Sequence, residues 1–139
     1  PENVLVTVAG DVRLVDFDLA QPLPKLPKRM PSNAGTPAYM APEQIRHEPL
    51  DQRADIFSFG VTAYELLTFR KPFIGETPEA VLRKQLDEKH PITAPREINA
   101  DIPIAVERII LKSLEHDPEK RFPNTHVLVA QLQQALYVK

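Results

Sequence analysis

Oxygen-bearing side chains recur in five short motifs along the 139-residue chain: Pro1-Glu2-Asn3, Asp16-Phe17-Asp18, the run Gly35-Thr36-Pro37-Ala38-Tyr39-Met40-Ala41-Pro42-Glu43, Asp55-Ile56-Phe57-Ser58-Phe59-Gly60, and Asp117-Pro118-Glu119-Lys120-Arg121. Carboxylate and amide oxygens accept hydrogen bonds. A carboxylate with an arginine is able to form a bidentate clamp. Taken singly, each residue has a plainer role. Asn3 suits a turn, Asp16 the end of a strand, and Thr36 is a turn hydroxyl after Gly35. The order and gaps of the five motifs carry more information than any one of them.

The elements that must position these residues are legible in outline. Asn3 to Val8 and Val12 to Val15 are rich in β-branched residues and flank Ala9-Gly10-Asp11, which predicts a hairpin. Gln21 to Pro31 holds Pro22, Pro24, Pro27 and Pro31 and reads as an irregular loop, because proline lacks an amide hydrogen and restricts its predecessor. Lys25, Lys28 and Arg29 in that loop suit a solvated surface. Asp51 and Asp55 introduce an apolar segment to about Phe69, with Ile56, Phe59, Gly60, Ala63, Tyr64 and Leu67 at helical spacing and Phe57 and Val61 beside them. A helix apolar nearly all round belongs in a core, and Lys71-Pro72 stops it. Further helices are predicted from about Thr77 to Glu88, with Thr77 as cap and Pro78 in first position, from Pro103 to His116, and from about Thr125 to Val138. The second of these is expected to bury Val106, Ile109, Ile110 and Leu114; the last, Val129, Leu132 and Leu136. His90 to Asp101 reads as irregular.

Composition excludes several classes. The formal net charge is −2, with 26% charged and 42% hydrophobic residues, so nothing marks a polyanion-binding protein and no nucleic-acid partner is expected. No cysteine is present, which removes disulfides and thiolate metal sites. His47, His90, His116 and His126 lack zinc-ligand spacing. The four glycines stand too far apart for a glycine-rich phosphate cradle. No apolar run approaches the roughly 20 residues needed to span a bilayer. No signal peptide is visible, although the chain starts at Pro1 rather than methionine. The expectation is a cytoplasmic segment with no membrane contact, whose parent protein could be membrane-anchored.

The ordered motifs resemble the eukaryotic-like, or Hanks-type, serine/threonine protein kinases, bacterial members included, over essentially the whole chain. The fold class implied is mainly α: a kinase C-terminal lobe with a small β-hairpin, lacking the N-terminal lobe of the α+β kinase fold. Residues 1–139 then form a partial kinase domain, with the end of the catalytic loop, an activation segment at about 16–43 and helices to 138. The function implied is transfer of the ATP γ-phosphate to protein serine or threonine hydroxyls, with ATP and Mg2+ as cofactors and a protein substrate as partner. Magnesium neutralises the charge on the phosphates in this chemistry. In the family, an asparagine and an aspartate supply its protein oxygens, and these match Asn3 and Asp16.

The same resemblance assigns other positions. Thr36 matches the threonine that helps arrange the acceptor hydroxyl near the catalytic base. Ser32, four residues earlier, stands where many relatives carry an activating phosphate, which brings about −1.5 to −2 charge and pairs with arginine. Glu43 and Arg121 match a buried ion pair anchoring the activation segment. Asp55 matches the helix aspartate that steadies the catalytic loop. Glu2 and Glu65 match positions that contact basic substrate side chains in some relatives. Asp18 departs from the usual glycine, tolerates positive φ less freely, and adds a carboxylate near the metal; some active branches share it.

The catalytic base belongs to His-Arg-Asp-x-x-x-x-Asn, so with Asn3 as its last residue that aspartate falls three residues before Pro1. The glycine-rich loop, the β3 lysine and its glutamate would lie further upstream, in a missing N-terminal part of the domain. The 139 residues alone are therefore expected to be inactive and poorly stable, with an exposed apolar face. The rival reading is a pseudokinase or truncated lobe acting as a protein-interaction module.

Overall fold

A computed structural model describes residues 2–17, 20–22, 24–27 and 36–137. Strands β1 (Val4–Val6) and β2 (Val12–Leu14) form an antiparallel pair in which Val4 faces Leu14, Leu5 faces Arg13 and Val6 faces Val12. The strands are shorter than the β-branched runs suggested, because Thr7 and Asp11 already belong to the turn. The Thr7 hydroxyl accepts the Asp11 amide at 3.0 Å, and Gly10 takes φ 90°, a conformation glycine adopts at no steric cost. Beyond the strands, the Val15 amide donates to the Asn3 carbonyl at 2.9 Å.

After the proline-rich loop the fold is helical: α1 (Pro42–Ile45), α2 (Arg53–Thr68), α3 (Pro78–Leu86), α4 (Pro95–Ile98), α5 (Ile104–Ser113) and α6 (Thr125–Tyr137). Single 3-10 turns precede α1, at Pro37–Tyr39, and α6, at Pro118–Lys120. Helix α2 is the axis of the core. It starts where the Asp51 carboxylate accepts the Arg53 amide at 2.8 Å. It ends at Phe69, whose φ of 58° is left-handed. Its Phe57, Val61 and Tyr64 pack with Phe73, Ile102, Val106, Ile110 and Leu114, all buried. Phe57 and Phe73 stack at 6.1 Å between centroids. A second cluster joins Ile56 to Ile109, Phe122 and Leu128. Helix α3 begins as expected: the Thr77 hydroxyl accepts the Ala80 amide at 3.1 Å, ahead of Pro78.

Gly60 is the point where α2 meets α5. A Cβ built there would lie 2.9 Å from the Ser113 Cβ and 3.1 Å from the Leu114 Cδ2. Gly60→Ala gains roughly 1 kcal/mol of helix propensity, but overpacking costs about 1–3 kcal/mol. The clash wins, and a lowered urea midpoint for the full-length protein is the expected result.

Two details correct the sequence reading. The stretch His90 to Asp101 is not wholly irregular, since α4 occupies its middle. Helix α6 buries Leu128, with Leu132 and Ala135 partly covered, whereas Val129 and Leu136 are 50% and 59% exposed. Its inward face is therefore turned by about one residue from the ladder expected. One exposed apolar surface lies on and just after the hairpin, where Leu5, Val6, Val8, Val12, Leu14, Val15 and Phe17 are all exposed.

Candidate functional site

The hairpin's open end brings the first two motifs together. Because the Val15 amide bonds to the Asn3 carbonyl, Asn3 stands across from Val15 and one residue from Asp16. Both side chains belong to exposed residues. Asp16 itself has φ 66°, the left-handed conformation that aspartate and asparagine adopt more readily than other non-glycine residues. Among the described residues no group of three or more His, Cys, Asp or Glu side chains forms a metal cluster. The donor set at the hairpin end is one amide and one carboxylate oxygen. That suits magnesium, which is commonly held by one or two carboxylates plus substrate phosphates and water. Asp18 and Ser32 lie outside the described residues.

Thr36 is exposed and starts the 3-10 turn Pro37–Tyr39. That turn is held from two helices. From α2, the Ser58 hydroxyl donates to the Tyr39 carbonyl at 2.7 Å, and the Tyr39 phenol donates to Glu65 Oε2 at 2.5 Å. From α3, the Gln85 side-chain amide donates to the carbonyls of Pro37, at 2.9 Å, and Met40, at 3.2 Å. Burial pushes the Tyr39 phenol well above its ordinary pKa. The hydrogen bond to Glu65, then the charges of Glu65 and Glu2, add to the shift. Glu2 and Glu65 thus act on one phenol, and the Lys71 ammonium lies 5.6 Å from the centre of the same ring.

The far end of the segment is clamped. Arg121, with its side chain fully buried, donates from Nη1 to Glu43 Oε1 at 2.6 Å and from Nη2 to Oε2 at 2.9 Å. Its other donors reach the carbonyls of Glu115 at 2.6 Å, Arg53 at 2.9 Å and His116 at 3.0 Å. All five guanidinium N–H groups are thereby used. The guanidinium also stacks 5.0 Å from the centre of the Phe57 ring. Residue 43 is thereby fixed to a turn 78 positions later. Asp55, on α2, has no hydrogen-bond donor on its carboxylate among the described residues, and burial by the surrounding protein raises its pKa although the residue retains solvent exposure.

The sequence reading missed Tyr39, Ser58 and Gln85 as structural ties. For Gln85 a signal existed. It stands four residues after Val81, on the inward side of α3, and a polar residue on a buried face needs partners.

Comparison with known proteins follows the same outline. The protein kinase domain family matches residues 1–134. A tyrosine-protein kinase, MasK, of Myxococcus xanthus is 38% identical over 134 residues, covering 96% of this chain and 20% of the relative. A probable serine/threonine-protein kinase of Clostridium acetobutylicum is 32% identical over 95% of this chain and 20% of its own length. The serine/threonine-protein kinase PknB of Mycolicibacterium smegmatis is 33% identical over 95% of this chain and 21% of its own length. The chain thus spans about a fifth of the length of these curated relatives. No helix among the described residues is long and apolar enough to cross a membrane.

Proposed function

We propose that this chain, which belongs to the protein kinase domain family, forms part of an enzyme that transfers the γ-phosphate of ATP to serine or threonine hydroxyls of proteins. The observation that supports this reading is the Val15–Asn3 backbone hydrogen bond, which pairs Asn3 with the residue before Asp16 at one end of the hairpin. Asn3 Oδ1 and the Asp16 carboxylate are the protein oxygens that would hold magnesium. Magnesium bound there supplies charge neutralisation on the terminal phosphates.

The chain's own residues then have distinct tasks. Thr36, at the head of a turn tied to α2 and α3, orients the acceptor hydroxyl. The Glu43–Arg121 clamp holds the other end of that segment still, so that positioning is not lost to motion. Asp55 offers a carboxylate to backbone amides of the catalytic loop. Glu2 and Glu65 give the acceptor side a negative potential suited to basic substrate side chains. Ser32 is the proposed site of an activating phosphate. The exposed apolar hairpin supports further parts of a kinase domain, with the catalytic aspartate and the ATP-binding lobe, packing on it in the full-length protein.

The test is phosphate transfer from labelled ATP by the full-length protein to peptides carrying serine, threonine or tyrosine. Transfer to serine or threonine is expected. Thr36→Ala should lower kcat for these acceptors about 10- to 100-fold, the loss expected when an acceptor is misplaced by about 1 Å. Transfer to tyrosine alone would replace the acceptor class. No transfer to any acceptor, with ATP bound or not, would favour a protein-interaction module instead.

A further inference from the structure

We propose that Gln85 is a positioning residue, whose side-chain amide holds the turn that presents Thr36. Gln85 is fully buried. Its Nε2 donates to the carbonyls of Pro37, the first residue of the 3-10 turn, and Met40, the residue that follows it. The orientation of the amide follows from chemistry, because both partners are carbonyls and only accept. Its Oε1 has no hydrogen-bond partner among the described residues. A buried amide with an unmade acceptor works against folding, and an apolar side chain of the same length would avoid that cost. The compensation is the pair of bonds to the turn.

The two ties complement those from α2. Ser58 and Glu65 fix Tyr39, whereas Gln85 fixes the carbonyls on either side of it. Pro37 lacks an amide hydrogen and cannot donate to hold the turn itself. Through Gln85, 45 and 48 positions from its two partners in the chain, α3 therefore holds the conformation next to Thr36. This role rests on the reading of Thr36 as an acceptor-orienting residue.

The test uses the full-length protein with Gln85→Met and Gln85→Glu. Methionine keeps the length and removes both donors together with the unpaired oxygen. Glutamate sets a carboxylate oxygen against two carbonyls. The expected result for Gln85→Met is a fall in kcat for the protein acceptor of about tenfold, because the two lost hydrogen bonds let the turn that presents Thr36 move. KM for ATP should stay unchanged, and the melting temperature should fall only modestly, because two carbonyls lose a donor while the unpaired amide oxygen is removed with it. Gln85→Glu should lose more. Amide hydrogen exchange over residues 36–41 should quicken about tenfold in Gln85→Met and stay unchanged in α5. Unchanged exchange over 36–41, an unchanged kcat for the acceptor, or a raised KM for ATP would overturn the proposal. If the wild-type protein transfers no phosphate at all, the functional reading fails, and hydrogen exchange alone then decides whether Gln85 holds the turn.

Discussion

Asp16→Ala in the full-length protein is expected to abolish measurable phosphate transfer from labelled ATP, a loss in kcat of at least about 10²–10³-fold. The carboxylate proposed to hold magnesium disappears, and Asn3 is left as a single neutral oxygen. The exposed position of Asp16 means that little core packing changes. One confounding effect is separable. Asp16 has φ 66°, and alanine tolerates that conformation poorly, at a cost of roughly 1–2 kcal/mol. Asp16→Asn tolerates left-handed backbone well, removes the charge and turns one acceptor oxygen into an NH2 donor. Loss of transfer in both variants, with unchanged melting for Asp16→Asn, identifies the carboxylate itself as the cause. Full activity in Asp16→Asn would remove Asp16 from the metal site.

Arg121→Met is expected to cost about 3–5 kcal/mol of stability, the range for stripping one partner from a buried ion pair. The reason is local. Glu43 would be left buried and unpaired, and the carbonyls of Glu115, Arg53 and His116 would each lose a donor. A typical domain holds only about 5–15 kcal/mol in total, so poor yield of folded protein and a sharply lowered urea midpoint should follow. The paired change Glu43→Met with Arg121→Met should recover much of that loss, because replacing a buried pair by apolar residues is often neutral or stabilising. A single Arg121→Met variant as stable as wild type would show that the clamp contributes nothing.

The parts of the fold legible in the sequence were those fixed by strong local chemistry. Thr77 with Pro78 gave the start of α3, and the Gly10 turn gave the hairpin. The apolar run around Phe57 gave the central helix. The clamp was reached through resemblance, since nothing in spacing alone joins residues 43 and 121. The inward face of α6 was misread for a definable reason. Val127, Leu128 and Val129 are all apolar, so two ladders, Leu128–Leu132–Ala135 and Val129–Leu132–Leu136, fit the helical period equally well. Only packing against Ile109 and Phe122 chooses between them. Helix α4 has four residues, too few to show a period. Gln85 is marked in the sequence only as a polar residue on the inward face of α3, four after Val81; its two carbonyl partners lie far away in the chain, and no local pattern names them.

Asn3 and Asp16 are proposed to serve one divalent ion, and that pairing has a direct test. The test is a double-mutant cycle on Mn2+ affinity of the nucleotide-loaded full-length protein, with Asn3→Ala, Asp16→Ala and the pair, read by electron paramagnetic resonance. Ligands of one ion are coupled, so the double variant should lose clearly less than the sum of the single losses. Losses that simply add, or an Asn3→Ala variant that binds Mn2+ as wild type does, would contradict the shared site.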